Sequence, residues 1–253
     1  QEASVLVDRA GSGVSHIIGV GGRDLSAEVG GIMFRQGMEL LAADEETETL
    51  LLVSKPPDPQ AVAALGDVDV RGKRVVAAFV GWDGAEAPFE VHPTLEAGAY
   101  AAADGEPPSD DEAGLDGGGE LLGLFSGGSL AYEAMTILGP GHRILDLGEE
   151  EYTQGRPHPM VDLELRRKML REEGPRAGCV LLDVVLGHGS HADPAGELAE
   201  TLSSLSCPVI AHVCGTKDDP QDAERQEAVL RDAGVHVAAT NAAAARLAKR
   251  VLA

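Results

Sequence analysis

The stretch LLGLFSGGSLAYEA, from Leu121 to Ala134, decides the fold class. An apolar run of strand length leads into a turn of serine and glycine and then into a helical segment. The first N–H groups of a helix have no partners within it, and small residues let an anion approach them closely. The pattern therefore predicts a βα unit with an anion-binding turn, although such glycines also occur for packing alone. The candidate residues are Ser126, Gly127, Gly128 and Ser129.

Similar units follow through the rest of the second half, where short apolar runs alternate with amphipathic segments. This alternation predicts a parallel, five-stranded, flavodoxin-like sheet with helices on both faces. The predicted strands are Leu121–Phe125, Arg143–Leu147, Cys179–Val185, Val209–Val213 and Val235–Ala239. The predicted helices are Leu130–Leu138, Val161–Glu173, Pro194–Leu205, Pro220–Ala233 and Asn241–Leu252.

The first half resembles a second version of the same unit that lacks its opening strand, as expected of a chain truncated before Gln1. Its predicted strands are Val14–Val20, Thr49–Ser54 and Arg74–Val80, and its predicted helices are Glu2–Ala10, Gly31–Ala42, Pro59–Leu65 and Pro93–Ala102. We expect two α/β domains of three layers each, α/β/α, at residues 1–103 and 120–253. The acidic, Pro- and Gly-rich residues 104–119 would form the linker between them.

Composition supports an α/β class and limits the partners. Of the 253 residues 43% are hydrophobic but only 3% aromatic, so the cores must consist of Val, Leu, Ile and Ala, as in parallel sheets. The formal charge of −22 would repel a phosphate backbone, which argues against a nucleic-acid partner. We interpret the acidity as a source of solubility, or as a mark of a salt-tolerant or compositionally biased source.

Cysteine usage and hydropathy indicate a cytoplasmic location without membrane partners. The three cysteines, Cys179, Cys207 and Cys214, are odd in number and lack metal-ligand spacing. They are expected to be buried thiols in a reducing compartment. No run approaches the ~20 apolar residues of a membrane helix, and no signal peptide is visible. The sequence begins without Met, so we expect it to be a fragment.

Polar clusters recur where the predicted strands end. The carboxyl ends of parallel strands meet at one edge of a sheet, and ligands bind there. The loops at these ends are Gly19–Ser26, Ser54–Pro57, Ser126–Ser129, Gly148–Pro159, Gly187–Pro194 and Gly215–Asp219. We therefore expect the functional residues to lie in these loops.

Four of these segments together resemble the FdrA family, which is related to the α and β subunits of succinyl-CoA synthetase. They are GVGGRDLS (19–26), SGGSLAYEA (126–134), LDLGEEEYTQGRPHP (145–159) and LLDVVLGHGSHADPA (181–195). The resemblance covers almost the whole chain and implies two CoA-ligase-type domains. It also implies a place in purine or allantoin degradation, as one subunit of an oxamate carbamoyltransferase.

In the synthetases, helix N-termini face a phosphohistidine, and the resemblance extends to that feature only in part. The turn before Leu130 is similar to the synthetase stretch that caps such a helix, with Ser129 in the place of a threonine. The loop expected to hold the phosphohistidine reads CGTKDDPQDAERQ here, without histidine. The CoA-binding Rossmann domain of the synthetases has no counterpart in this sequence. CoA or a nucleotide is therefore expected only as a cofactor of a full-length protein.

Histidines supply the candidate acid and base groups. His188 and His191 lie in the loop GHGSHADP beside Gly187 and Gly189, and His158 lies in GRPHP. Imidazole suits proton transfer near neutral pH, and spacing does not choose among the three. A metal site at His188 and His191 with Asp193 is the alternative, but no second cluster completes a four-ligand set. We favour contact with phosphate or substrate, because this loop precedes a helix.

Two arginine-containing loops are further anion-binding candidates. Arg156 can hold a carboxylate or phosphate through two parallel hydrogen bonds; the alternative is a rigid turn in which it pairs with residues 149–151. The first half offers a glycine-rich loop at a strand end, which in the resemblance matches the GIGGDP loop of the synthetases with Arg23 inserted before the acid. Its candidate residues are Gly21, Gly22, Arg23 and Asp24.

These observations leave three functional hypotheses. The first is a carbamoyl- or acyl-transferring enzyme that handles a small anion such as carbamoyl phosphate, oxamate or an acyl-CoA. The second is a non-catalytic subunit that binds a metabolite or a partner, and the third is an ADP- or GDP-forming acyl-CoA synthetase. For all three we expect a homo-oligomer, with hetero-subunits as further partners.

Overall fold

The computed structural model describes residues 1–84, 86–109 and 114–253. The chain divides into two compact units. Unit 1 comprises residues 3–107 with Gln1, and unit 2 comprises residues 108–253 with Glu2. Both units are α/β structures with parallel sheets. The expected linker falls partly on residues 110–113, which lie outside the described residues.

Unit 2 contains a five-stranded parallel sheet. The strands are β4 (Leu121–Phe125), β5 (Arg143–Asp146), β6 (Cys179–Val185), β7 (Val209–Cys214) and β8 (His236–Ala238). Their spatial order is β5-β4-β6-β7-β8, the doubly wound order of flavodoxin-like folds. Every residue of β6 and β7 is buried, as expected for central strands covered on both faces. The predicted fold of the second half is confirmed.

Helices cover both faces of this sheet and complete three layers. They are α5 (Gly128–Leu138), α6 (Glu150–Thr153), α7 (Glu164–Glu173), α8 (Pro194–Ser203), α9 (Ala223–Asp232) and α10 (Asn241–Val251), with a 3₁₀ turn at Gly174–Arg176. Alternate residues of β4, β6 and β7 pack with α7, α8 and α9 in one core. Helices α5 and α10 pack against each other, and α10 also packs on β6 and β7.

Two helices begin later than predicted because aspartates fix where they begin. The carboxylate of Asp162 accepts the N–H of Glu164 at 2.8 Å, and Asp222 accepts the N–H of Arg225 at 3.3 Å. Helix α7 therefore begins at Glu164 instead of Val161, and α9 begins after Asp222. The single turn of α6 was not predicted, because four residues show no helical period.

Unit 1 contains a three-stranded parallel sheet in the order β1-β2-β3. Its strands are β1 (Thr49–Ser54), β2 (Arg74–Phe79) and β3 (Glu90–His92), and its helices are α1 (Glu2–Arg9), α2 (Ile32–Ala43), α3 (Pro59–Leu65) and α4 (Leu95–Ala102). Helix α3 begins at a capping aspartate, Asp58, followed by proline at the first helical position. The prediction missed β3, which has only three residues.

The predicted strand Val14–Val20 is wrong. This segment has no regular secondary structure and pairs with no described strand. Ile17 is 73% exposed and Val14 is 46% exposed, whereas the side chains of Ile18 and Val20 approach Gly37 on α2. Glycines at both ends weaken strand formation, and Ile18 and Val20 pack on a helix instead of entering the sheet.

Two helical glycines of unit 1 should respond in opposite ways to substitution by alanine. At Gly98 in α4 a Cβ would lie 2.5 Å from Ala78 Cβ, so Gly98→Ala should lower the free energy of unfolding by about 1–3 kcal/mol despite the better helix propensity. At Gly37 in α2 the nearest atom is 3.8 Å away, and Gly37→Ala should stabilise by about 0.5–1 kcal/mol. Urea denaturation of both variants measures the difference. Equal effects would contradict the close packing of α4 on β2.

Candidate functional site

The turn between β4 and α5 is built around a buried carboxylate, that of Asp183 in β6. Its Oδ1 accepts hydrogen bonds from Ser126 N at 2.9 Å and Ser126 Oγ at 3.0 Å. Its Oδ2 accepts the N–H of Gly127 at 2.9 Å. The anion that these donors were predicted to bind is thus supplied, in this structure, by the protein itself.

The later part of the same turn keeps open donors. Helix α5 begins at Gly128, and Gly127 has no side chain to cap it. Within the described part of the chain, the N–H groups of Gly128 and Ser129 make no recorded hydrogen bond, and Ser129 is exposed. First-turn N–H groups of this kind attract an anion through hydrogen bonding and the helix dipole. Of the four residues first singled out, these two remain accessible to a ligand.

Three polar groups converge beside this turn at Gly148, which follows β5. A Cβ at this position would lie 2.8 Å from His158 Nε2, 3.0 Å from Asp146 Oδ1 and 3.1 Å from Ser126 O. A larger residue here would have to move the ends of the His158 and Asp146 side chains and would crowd the carbonyl oxygen of Ser126. The structure therefore brings His158, from the GRPHP loop, to the carboxyl end of β4 and β5.

Hydrogen bonds orient His158 and Asp146. Met160 N donates to His158 Nδ1 at 3.3 Å, so the neutral imidazole carries its proton on Nε2, the nitrogen nearest Gly148. Gly148 N donates to Asp146 Oδ1 at 2.9 Å. The two side chains thus present an N–H donor and a carboxylate acceptor at the edge of the sheet.

Two buried glutamines hold the loop that contains His188 and His191. The side chain of Gln221 accepts the N–H of Gly187 at 3.1 Å and donates to its carbonyl oxygen at 2.9 Å. Gln226 accepts the N–H of Ala195 in the first turn of α8 at 2.8 Å and donates to Asp193 Oδ1 at 2.8 Å. These contacts make the loop a fixed part of the sheet edge.

The two histidines of this loop differ in environment. His191 N donates to Met160 O at 2.7 Å, which joins this loop to that of His158, and His191 Nδ1 accepts the N–H of Asp193 at 3.1 Å. His188 is exposed beside Gly187 and Gly189. The described residues contain no group of three or more His, Cys, Asp or Glu side chains arranged to hold a metal.

The side chain of Arg156 is exposed. Among the described residues it forms no ion pair, so the expected alternative, pairing with residues 149–151, is not observed. It lines a shallow groove of about 350 Å³ together with Tyr152, Pro157 and Lys168. Its predicted role in anion binding stays a prediction.

The glycine-rich loop of unit 1 uses its aspartate internally. Asp24 is buried, and its carboxylate accepts the N–H groups of Met33 at 3.0 Å and Phe34 at 2.8 Å in the first turn of α2. Arg23 is exposed with its guanidinium 3.6 Å from Glu28, and Gly21 and Gly22 are exposed beside it. A ligand role for this loop stays a prediction, and Asp24 repeats the arrangement of Asp183.

Residues 124–251, about half of the chain and most of unit 2, match the protein family described as CoA-ligase. The chain belongs to the CoA-ligase family. The uncharacterized protein YahF of Escherichia coli is 32% identical over an alignment of 310 positions, which covers 100% of this chain and 60% of YahF. This CoA-ligase chain therefore corresponds to only part of that relative's length.

Solved structures similar to this CoA-ligase chain are more distant. PH0766 from Pyrococcus horikoshii is 16% identical, with a TM-score of 0.41, over 87% of this chain and 55% of that one. ATP citrate lyase from Methanothrix soehngenii, solved with citrate and coenzyme A, is 12% identical, with a TM-score of 0.38, over 85% of this chain and 36% of that one. No helix in the described part of the chain is long and apolar enough to cross a membrane.

The cysteines of the CoA-ligase chain are unsuited to nucleophilic catalysis. Burial raises the pKa of the Cys179 thiol to about 12 and raises that of Cys214 well above its usual range. Burial also raises the pKa of Cys207. Since the thiolate is the reactive form, the raised pKa values disfavour nucleophilic attack by these thiols near neutral pH. All three are free thiols; Cys179 and Cys214 are buried as predicted, but Cys207 is only partly buried, so the prediction of burial is wrong there.

Sequence reasoning missed several residues that shape this site. Asp183 lies inside the motif LLDVVLGHGSHADPA, and a charged residue within an apolar strand is a signal that its side chain has buried partners. Asp146 gives the same signal at the end of the apolar strand β5, whereas Arg166, Gln221 and Gln226 lie on helices or in a polar loop and give none. The missed residues are Asp146, Arg166, Asp183, Gln221 and Gln226.

Removal of the Gln226 side chain should test how firmly the loop that contains His188 and His191 is held. Gln226→Ala leaves the buried N–H of Ala195 without its acceptor, so the free energy of unfolding should fall by about 1–3 kcal/mol. Gln154→Ala is the matched control, because Gln154 is exposed and its amide lies 3.4 Å from Glu150, and it should change stability by less than about 0.5 kcal/mol. Urea denaturation measures both, and equal effects would contradict the role of Gln226.

Proposed function

We propose that this CoA-ligase-family chain is part of a carbamoyl- or acyl-transferring enzyme, in which unit 2 binds the anionic group of a small metabolite at the carboxyl edge of its sheet. The observation that supports this most directly is the convergence of His158 and Asp146 at Gly148, beside the turn whose donors on Gly128 and Ser129 are open. Donors and acceptors that are fixed before the substrate arrives are what stabilise developing charge in acyl transfer.

The loop after β7 supports direct transfer over a phosphohistidine mechanism. No histidine occurs in residues 214–226, and the loop is closed by its own carboxylate, since Thr216 N donates to Asp219 Oδ2 at 2.7 Å. His212 precedes this loop in β7 but is fully buried. A phosphoryl group would therefore have no carrier there, and the substrate itself would bring the activated group.

The resemblance to the FdrA family favours carbamoyl phosphate and oxamate as substrates, in the degradation of purines or allantoin. In that reaction the nitrogen of oxamate forms a bond to the carbonyl carbon of carbamoyl phosphate. The bond from this carbon to the phosphate oxygen breaks, phosphate leaves, and the nitrogen loses one proton. In this proposal Asp146 accepts that proton, while the His158 Nε2–H and the donors of Ser129 stabilise the charge on the leaving phosphate.

The proposal also includes the cofactors, the subunits and the location of the enzyme. CoA or a nucleotide would bind, where it is used, to a part of the full-length protein beyond unit 2. Hetero-subunits and a homo-oligomer would complete the enzyme, which would act in the cytoplasm.

The decisive experiment compares three reactions with the full-length protein, purified with and without its partner subunits. These are carbamoyl transfer from carbamoyl phosphate to oxamate, acyl-CoA formation dependent on ATP or GTP, and phosphorylation of histidine by either nucleotide. We expect only the first. Acyl-CoA formation with a phosphorylated histidine would replace the proposal by a synthetase, and the absence of all three reactions would favour a non-catalytic subunit.

Within that assay, His158→Ala should lower kcat/KM about 10²–10⁴-fold, because it removes the Nε2–H donor beside Gly148. Ser129→Ala should have a smaller effect, about tenfold, because the N–H donors of the turn remain. His142→Ala is the control, because His142 lies just before β5, at the amino ends of the strands and away from the proposed site. It should leave kcat/KM within about twofold. Equal kinetics for all three variants would contradict the site.

A further inference from the structure

The ion pair between Arg166 and Asp183 joins helix α7 to the carboxylate of β6 that holds the turn before α5. The side chain of Arg166, in α7, is 1% exposed and that of Asp183 is 0% exposed. Arg166 Nη2 donates to Asp183 Oδ1 at 2.8 Å, and Nη1 donates to the backbone oxygen of Asp183 at 2.6 Å. The same carboxylate accepts hydrogen bonds from Ser126 and Gly127. The guanidinium of Arg166 and the turn before α5 therefore share one carboxylate.

A charged pair is not what stability alone would require at this position. Burying two charges costs several kcal/mol of desolvation per ion in general, and well-packed apolar residues of similar volume are often as stable or more stable. The pair also places a negative charge in contact with Ser126 and Gly127, which immediately precede Gly128 in the chain. Without a compensating positive charge, that carboxylate would repel any anion bound to the N–H groups of Gly128 and Ser129.

We propose that Arg166 and Asp183 are positioning residues of the transfer site: Asp183 fixes the turn before α5, and Arg166 cancels its charge so that an anionic substrate group binds to Gly128 and Ser129. This inference rests on the proposed function, because it assumes that the turn holds an anion. It assigns the two residues no contact with substrate. Their effect is on the geometry and the local potential of the donors.

Removal of the positive charge and removal of the negative charge should change the affinity for an anion in opposite directions. Arg166→Gln leaves the carboxylate uncompensated and should weaken binding of an anion about tenfold to a hundredfold. Asp183→Asn keeps the side-chain size and one acceptor oxygen for the turn, leaves the guanidinium in excess, and should bind the anion more tightly than the unchanged protein. The double variant removes both charges and should return to within about threefold of the original affinity.

The measurement is a titration of the isotope-labelled chain with inorganic phosphate in a phosphate-free, low-salt buffer. Shifts of the amide signals of Gly128 and Ser129 report binding at the turn itself and give the dissociation constant for each variant. Arg143→Gln is the matched control, because Arg143 pairs with Glu173 on the surface at the amino end of β5. It removes one positive charge from unit 2 and should change the phosphate affinity by less than about twofold.

The variants remain informative if Arg166→Gln fails to fold. Asp183→Asn and the double variant contain no uncompensated buried carboxylate, and they differ only in the charge at position 166. Asp183→Asn should bind phosphate about tenfold more tightly than the double variant. Equal affinity of these two proteins would overturn the inference on its own.

The outcomes separate the inference from the proposed function. Phosphate binding at Gly128 and Ser129 that weakens in both single variants would show a purely structural pair, overturning the inference while the anion site stands. Absence of any shift of these amides in the unchanged protein would overturn the anion site and the inference together. Opposite signs for the two single variants support both.

Discussion

The carboxylate of Asp183 has no access to solvent, and the turn between β4 and α5 depends on it. Burying such a charge costs several kcal/mol unless hydrogen bonds and an opposite charge compensate it. Here Ser126 and Gly127 supply backbone donors, Ser126 adds its hydroxyl, and Arg166 adds the charge. Loss of one partner from such a buried pair typically costs about 3–5 kcal/mol, so the arrangement of three segments follows from this one group.

Aspartates also accept backbone N–H groups where other helices begin, so part of the chain's acidity has a structural role. Asp24 accepts two N–H groups in the first turn of α2, Asp58 accepts those of Gln60 and Ala61, and Asp222 accepts that of Arg225. Each carboxylate satisfies backbone donors that a helix leaves without partners. Part of the net charge of −22 is therefore structural, in addition to any effect on solubility.

The sequence predicts the periodic elements well because local patterns determine them. Strands such as Thr49–Ser54 and Cys179–Val185 match the structure, since buried parallel strands appear as continuous apolar runs. The same rule fails at Val14–Val20, where an apolar run without a neighbouring strand packs on a helix. Periodicity identifies apolar segments but does not say which surface will bury them.

The sequence predicts which loops form the site but not which residues bond to each other within it. The carboxyl-edge rule places Ser126–Ser129 and the segment with His158 near each other, and Gly148 indeed brings His158 to Ser126. The partners within the edge are long-range contacts: Asp183 lies 57 residues from Ser126, and Gln221 lies 34 residues from Gly187. No local pattern encodes such pairings, so a single sequence cannot distinguish a donor that awaits a ligand from one that is already satisfied.

That distinction narrows the ligand that the turn can hold. A helix N-terminus with all its first donors open can surround a phosphoryl group, but here Ser126 and Gly127 are already bonded to Asp183. Two N–H groups and the hydroxyl of Ser129 remain, which match a carboxylate or one edge of a phosphate. Under the proposed function, the internal carboxylate in this position and the absence of histidine from residues 214–226 both favour a small anion that diffuses in over a covalent phosphoryl carrier.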